Sequence, residues 1–388
     1  MRICMLVQEY YNIDARVRRE SEALVKAGHQ VDVIALRDKR TGPVEYCLNG
    51  VNVRTVFLPK KQAGILRYVY EYLTFMVVAF WYLNVQDRQH HYDLVQANTL
   101  PDFLVFSAII QKLKGTTILL DMHEIAPEFF QSKFNQPASS WSVRIVSLAE
   151  RLSIRFADYV LTVNDSIKDV LVGRGVPPDK IDVIMNSADP QLFSPNGSTP
   201  KDAKQDADLT LMYHGTLTHI YGLDIAVRAL PLIREKLPSA KLIIIGDGPA
   251  RANLEALAEE LQVKEYVHFV GRIPQEQILA RMYECNFGVL PTRQDVFLDL
   301  SFSNKLAEYI AVGKPVVATA LTTTQRYFSD KSITYVPSED YAELARKIVA
   351  LYNNPQRQIA QVSQAWEEYA AIDWNVMKKR YVELVESL

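Results

Sequence analysis

Within Ser303-Asn304-Lys305-Leu306-Ala307-Glu308 the chain sets an amide, an ammonium and a carboxylate at the start of a predicted helix. At about 3.6 residues per turn, Asn304, Lys305 and Glu308 share one face while Leu306 and Ile310 point toward a core. Ser303 or Asn304 can cap the first turn, whose free N–H groups and positive dipole end suit a phosphate, and Lys305 adds a full charge beside them. Gly313 ends the helix, and Pro315 opens the apolar strand that continues through Val316 and Val317. Two readings fit this spacing: a ligand clamp, or a Lys/Glu i,i+3 pair on an ordinary amphipathic helix.

A second cluster, Asp121-Met122-His123-Glu124, closes an apolar run. A histidine between carboxylates at a strand's end can present its imidazole to a ligand and have its pKa tuned; a structural hydrogen bond is the competing role. No H-x-x-x-H or C-x-x-C spacing accompanies it, so no metal site is expected. After the first strand, Asp14 is a good N-cap, while Arg16, badly placed for the helix dipole, is a candidate for holding an anion. Asn98 through Asp102 read first as a plain helix start. Glycines follow strands at Gly215, at Gly246-Asp247-Gly248 and at Gly271-Arg272-Ile273, where backbone can approach a phosphate or a base; Arg293 adds a cation after another strand.

These residues need a scaffold that holds strand ends in a row. Apolar runs at Ile3–Val7, Val31–Leu36, Val51–Leu58, Leu94–Ala97, Thr117–Asp121, Tyr159–Val163 and Ile181–Met185 alternate with helical patterns such as Ala15–Ala27 and Asp102–Lys112. The rhythm repeats at Leu209–Tyr213, Lys241–Ile245, Val267–Val270, Phe287–Leu290, Val316–Ala318 and Thr334–Val336. Continuous apolar strands separated by helices mean a parallel sheet covered on both faces, so the fold class is α/β with two doubly wound domains. The expected division is residues 1–190, a proline-rich polar linker at 191–207, a second domain at 208–355, and C-terminal helices at 356–388 packing back on the first domain. Ligands of such sheets bind beyond the carboxyl ends of the strands, so two domains facing each other would enclose a cleft.

Composition agrees with this frame. A chain of 388 residues exceeds one ordinary core. The first 190 residues carry 22 basic against 21 acidic side chains and the remainder 21 against 24, so neither half reads as a nucleic-acid binder. Cys4, Cys47 and Cys285 are odd in number and scattered, which speaks against a disulfide framework and for a reducing cytoplasm. The apolar start Met1–Val7 is too short for a signal peptide and reads as the first strand. Leu73–Leu83 is apolar throughout but far shorter than the roughly 20 residues of a spanning helix. It is expected to lie buried against a sheet; the alternative is peripheral contact with the inner face of the plasma membrane, helped by Lys60, Lys61 and Arg67.

The second half resembles the nucleotide-sugar domain of glycosyltransferase family 4, retaining enzymes of the GT-B fold. The matching stretches are His214-Gly215-Thr216-Leu217 with Gly222-Leu223-Asp224, Gly246-Asp247-Gly248-Pro249, Val267 to Arg272, and Lys305-Leu306-Ala307-Glu308-Tyr309 running to Pro315. The first half fits through Arg16 to Glu20, Gly28-His29, His123-Glu124, and Asn186 with Asp189. Through Asn304-Lys305-Leu306 the chain resembles the subgroup carrying N-K-L or T-K-L before the glutamate.

The resemblance implies transfer of a hexosyl group from a nucleoside diphosphate sugar of the UDP-sugar kind to an acceptor hydroxyl, with retention, in cell-surface polysaccharide or glycolipid synthesis. That sugar is a substrate; no cofactor is implied. His123 and Glu308 are the expected catalytic residues: Glu308 matches the glutamate that holds the ribose and His123 the histidine near the reacting carbon, while Arg272 and Ile273 match the loop that reads the base. Gly215, Thr216, Gly248, Arg293, Ser303, Asn304 and Lys305 complete the expected donor site, and Asp14, Arg16, Asn98, Asp102 and Glu124 the expected site for a saccharide or lipid-linked acceptor. The chain also departs from the family: the first motif glutamate falls on Leu300, next to Asp299, and the usual arginine and lysine of the phosphate site are Thr216 and Tyr221. Lys305 and Arg293 are the candidates to replace those cations. The rivals are a non-hydrolysing nucleotide-sugar 2-epimerase and a nucleotide-sugar-binding subunit without catalysis.

Overall fold

The computed structural model describes residues 1–59, 64–88, 90–193 and 208–388. Most of the expected linker, along with Lys60 and Lys61, lies outside these residues. The chain divides into two compact units, Met1–Met185 with Met377–Leu388, and Asn186–Val376.

In the first unit the elements run β1 (Arg2–Tyr10), α1 (Ala15–Lys26), β2 (Gln30–Arg37), β3 (Glu45–Leu48), β4 (Val51–Phe57), α2 (Gly64–Asp87), β5 (Leu94–Asn98), α3 (Ile109–Leu113), β6 (Thr117–Met122), α4 (Ala126–Phe134), α5 (Trp141–Phe156), β7 (Tyr159–Thr162), α6 (Asp165–Gly173) and β8 (Ile181–Val183). The sheet order is β3-β4-β2-β1-β5-β6-β7-β8. Every neighbouring pair is parallel except the edge hairpin β3–β4. The central strands are apolar on both faces, as in Ile3 to Val7 of β1, because helices cover both sides. The unforeseen strand is β3, whose residues Glu45, Tyr46, Cys47 and Leu48 are exposed or half-buried at the edge and so carry no long apolar run. The helix expected over Asp102–Lys112 is a 3₁₀ turn, Asp102–Ala108, followed by the short α3.

α2 corrects the expectation of a helix buried all round. Phe75, Ala79 and Leu83 are fully buried, whereas Leu73, Val77 and Trp81 on the opposite side are exposed. No helix among the described residues is long and apolar enough to cross a membrane.

In the second unit, β9 (Thr210–His214), α7 (Leu223–Arg234), β10 (Lys241–Ile245), α8 (Arg251–Glu260), β11 (Val267–Gly271), α9 (Gln275–Glu284), β12 (Phe287–Leu290), α10 (Asn304–Ala311), β13 (Val316–Thr319), α11 (Thr322–Tyr327), β14 (Thr334–Val336), α12 (Tyr341–Tyr352) and α13 (Pro355–Tyr369) build a six-stranded parallel sheet of order β11-β10-β9-β12-β13-β14. The tail is shared between the units. α13 packs on α10 and α12 of the second unit, with the Trp366 indole donating to the Ile310 carbonyl at 2.7 Å. Gly313 makes this possible, since a Cβ there would press on the Trp366 ring at 2.7 Å. From Met377 onward α14 (Trp374–Ser387) belongs to the first unit, where the fully buried Tyr381 donates its hydroxyl to Gln96 at 2.6 Å.

Candidate functional site

In the second unit the strand ends are shaped by glycines. The chain leaves β9 through Gly215 and β10 through Gly246, both at φ +129, a conformation that L side chains rarely adopt. A Cβ on Gly246 would overlap the Gly215 carbonyl, and one on Gly248 the Leu217 carbonyl, so the two turns nest backbone against backbone. A Cβ on Gly215 would overlap the Lys305 side chain; the glycine leaves the space that Lys305 fills.

Lys305 rises from the first turn of α10, capped by Ser303, whose hydroxyl accepts from Leu306 N at 3.4 Å. Its ammonium stands 4.2 Å from the centroid of the Tyr221 ring and 5.6 Å from that of Tyr213. Among the described residues no carboxylate or hydrogen-bond acceptor pairs with it. Burial holds its pKa down to about 8, against the smaller opposing pull of Glu308. An aromatic face stabilises a cation without neutralising it, so the charge remains available to an anion. One turn on, Glu308 is half-buried, with Oε2 3.3 Å from Nε2 of His214. Burial, reinforced by the Lys305 charge, lowers the His214 pKa to about 3, so this imidazole is neutral and the contact is no ion pair. Thr216, Arg272 and Asn304 are exposed and Ile273 half-exposed.

Arg293 does not join this group. Its guanidinium donates to both Asp224 oxygens at 2.8 and 2.7 Å, to Glu339 at 2.7 Å and to the His219 carbonyl at 2.7 Å. Two carboxylates already satisfy its charge, and it braces the loop after β12 against α7 instead of serving a phosphate. Asp299, neighbour of the missing motif glutamate, is likewise engaged: its carboxylate takes the backbone N–H and hydroxyl of Thr322 at 2.8 and 2.6 Å and anchors α11.

In the first unit His123 follows β6, and its Nε2 lies 3.0 Å from Oδ2 of the fully buried Asp121. Burial alone would lower the histidine's pKa, but the Asp121 carboxylate outweighs it and raises it. The same carboxylate takes Nε and Nη2 of Arg16 at 2.9 and 2.8 Å. Burial pushes the Asp121 pKa up, yet Arg16 and His123 together hold it well below the usual carboxylate range. Arg16 also donates to the Ile184 carbonyl at 2.7 Å and lies 3.1 Å from Glu20. It is therefore a buried internal counter-ion and not a ligand-holding cation, contrary to its sequence assignment.

His123 opens on a cavity of about 570 Å³ lined also by Gln8, Asp14, Tyr68, Tyr72, Glu124 and Lys133. Burial raises the Glu124 pKa. Asp14 caps α1 through Val17 N at 3.0 Å while bordering the cavity. Two other acceptor candidates fail to reach it. Asn98 is fully buried, accepting from Gln96 at 2.9 Å and donating to the Leu6 carbonyl at 3.2 Å, and Asp102 is buried at the start of its 3₁₀ turn. Gln8 escaped the sequence reading. It is only 5 % exposed, and both of its amide atoms lack a protein partner in the cavity wall. Unmet buried polar atoms at this position suit a hydroxyl-bearing ligand. Its one sequence signal is a polar side chain ending an apolar strand. Among the described residues no cluster of three or more His, Cys, Asp or Glu residues could hold a metal ion.

Residues 13–187 match the model of the glycosyl transferase 4-like domain, and residues 208–354 that of glycosyl transferases group 1. A protein of Escherichia coli K12 named as a colanic acid biosynthesis glycosyltransferase, WcaL, is 27% identical over 60% of this chain and 58% of its own length. An uncharacterised glycosyltransferase of Methanocaldococcus jannaschii is 25% identical over 83% of this chain and 81% of its own. The gpi3 subunit of phosphatidylinositol N-acetylglucosaminyltransferase from Schizosaccharomyces pombe is 24% identical over 79% and 62%. The chain thus spans about three fifths of two of these relatives. Among solved structures, sucrose-phosphate synthase of Thermosynechococcus elongatus superposes with a TM-score of 0.78 at 19% identity, covering 100% of this chain and 98% of that one. HepE of Anabaena with UDP-glucose superposes at 0.72 and 18%, covering 100% of both. At these identities the superpositions show the shared fold.

Proposed function

The chain belongs to the glycosyltransferases that join a 4-like domain to a group 1 domain, the family 4 type with the GT-B fold, and on that premise we propose that it moves a hexosyl group, with retention, from a nucleoside diphosphate sugar to an acceptor hydroxyl. The observation that carries this reading is the unpaired ammonium of Lys305, held over Tyr221 in the space left by Gly215, with Glu308 one turn along α10. A diphosphate that leaves during transfer gains negative charge, and a cation already in place stabilises it without reorganisation. Lys305 is assigned to that charge and Glu308 to the ribose; Arg272 and Ile273 meet the base by backbone groups. The chain's own cation makes a divalent metal unnecessary in this scheme.

In the first unit the His123 cavity takes the acceptor, with Gln8 and Glu124 bonding its hydroxyls. His123, whose pKa the Asp121 carboxylate raises, is assigned to the reacting sugar. UDP-glucose is the first donor to try, because HepE has been solved with it. The saccharide or lipid-linked acceptor, a role in surface polysaccharide or glycolipid synthesis, and a cytoplasmic place against the inner membrane face belong to the same proposal.

A thermal-shift screen of nucleoside diphosphates and their sugars tests the donor site. Stabilisation by at least one diphosphate, lost on Lys305→Ala, supports the reading; no stabilisation by any of them refutes it.

A further inference from the structure

Three helices on one side of the first unit share an unusual outward surface. The connections β4 to β5, β5 to β6 and β6 to β7 all step the same way across the sheet, so right-handed crossovers put α2, α3 and α5 in one layer. Both α2 and α5 pack on the 3₁₀ turn that leads into α3, and Phe106 of that turn meets Phe156 of α5 at 5.0 Å between ring centroids.

α5 is the most telling of the three. Its exposed apolar residues are Trp141, at 75 % exposure, Ile145, Leu148 and Leu152. At about 100° per residue they lie within an arc of roughly 60°, opposite the buried Val143, Glu150 and Ile154. Arg144, Arg151 and Arg155 are exposed along one flank of that arc, and no ion-pair partner binds any of them among the described residues. The helix's one acidic residue, Glu150, is buried and bonded to Arg174 at 2.6 Å. Beside it α2 exposes Leu73, Val77 and Trp81, and α3 exposes Leu113 at 83 %.

We propose that this face docks on an anionic lipid bilayer, with the apolar residues of α5, α2 and α3 entering the interface and the α5 arginines meeting the headgroups. Charge decides the occupant. A free apolar face with tryptophans and a flank of arginines is the pattern of an interfacial helix, and the absence of any exposed carboxylate on α5 favours an anionic surface over a neutral one. The proposal deepens the lipid-linked acceptor reading and rests on it. α2 reaches both places, since its Tyr68 and Tyr72 line the His123 cavity while Leu73 and Trp81 face outward, so an acceptor anchored in the bilayer would be delivered beside that cavity.

The test is co-sedimentation of the full chain with vesicles of phosphatidylcholine alone or with one third phosphatidylglycerol, at low and high salt. Binding only to the anionic vesicles, weakened by salt, is expected. At roughly fivefold per basic residue, Arg144→Gln with Arg155→Gln should weaken it about 25-fold, and Leu148→Ser should weaken it at either salt. Circular dichroism and nucleoside diphosphate binding of the variants confirm that they fold. Equal binding to both vesicle types, or none at low salt, overturns the proposal. So does a wild-type dimer in light scattering that Leu148→Ser makes monomeric, because the face would then be an interface between copies. Either failure leaves diphosphate binding, and with it the glycosyltransferase reading, intact.

Discussion

If Lys305 is the phosphate cation, diphosphate binding must carry a proton signature. In the unliganded protein burial holds this ammonium's pKa near 8, below the ordinary lysine value near 10.5. The sign follows from linkage: below pH 8 the lysine is charged and ready, and above it the free protein must take up a proton before it can meet the diphosphate. A bound diphosphate favours the charged form and raises the pKa again. Affinity should be flat from pH 7 to 7.5 and then fall by about 1.4 kcal/mol, or tenfold, for each pH unit above 8 until the raised pKa is reached. Phosphate ionisation does not confuse the range, since its last step lies near pH 6. Titration calorimetry at pH 8.5 in two buffers of different ionisation enthalpy should show uptake of about half a proton or more per diphosphate bound, and none for the free nucleoside. Lys305→Ala should cost about 1.5–3 kcal/mol of diphosphate affinity at pH 7, leave the nucleoside nearly untouched and abolish the proton uptake. Equal losses for nucleoside and diphosphate, or uptake that persists in the variant, would refute the assignment.

Other outcomes follow from the same geometry. Glu308→Ala should weaken nucleoside and diphosphate alike, checked in the same calorimeter, because its target is the ribose. His123→Ala should lower turnover far more than donor affinity, and an unchanged kcat at saturating acceptor would remove it from the reacting centre. Gln8→Leu, which fills a buried position whose amide has no protein partner, should leave thermal stability within about 1 kcal/mol while raising the KM for acceptor; an unchanged KM would take Gln8 out of the acceptor site. Activity should survive EDTA, and its loss with recovery on added magnesium would show that Lys305 alone does not neutralise the diphosphate.

The scaffold was legible wherever burial on both faces forces a continuous apolar run, as in Ile3–Val7 and Lys241–Ile245. It was least legible where that force is absent: β3 at the sheet edge, and the turn after Asp102, whose pattern does not separate 3₁₀ from α geometry. Site residues divide in a similar way. Ser303, Lys305 and Glu308 lie within about a turn and a half of one helix, so spacing alone set them together. Arg16 and Arg293 were misread because their partners are distant in sequence, Asp121 by 105 residues and Asp224 by 69. A cation at a strand end looks free until the fold brings a carboxylate to it. Gln8 shows the converse, since only the folded chain reveals that a buried amide has been left unpaired.

The central claim is retaining sugar transfer from a nucleoside diphosphate sugar, and proton NMR of the products tests it most directly. With UDP-glucose or whichever α-linked donor the screen selects, and a saccharide acceptor, the expected products are free nucleoside diphosphate and an α-linked glycoside in equal amounts. A β-linked glycoside, or a donor epimerised at C2 with no glycoside formed, would contradict it.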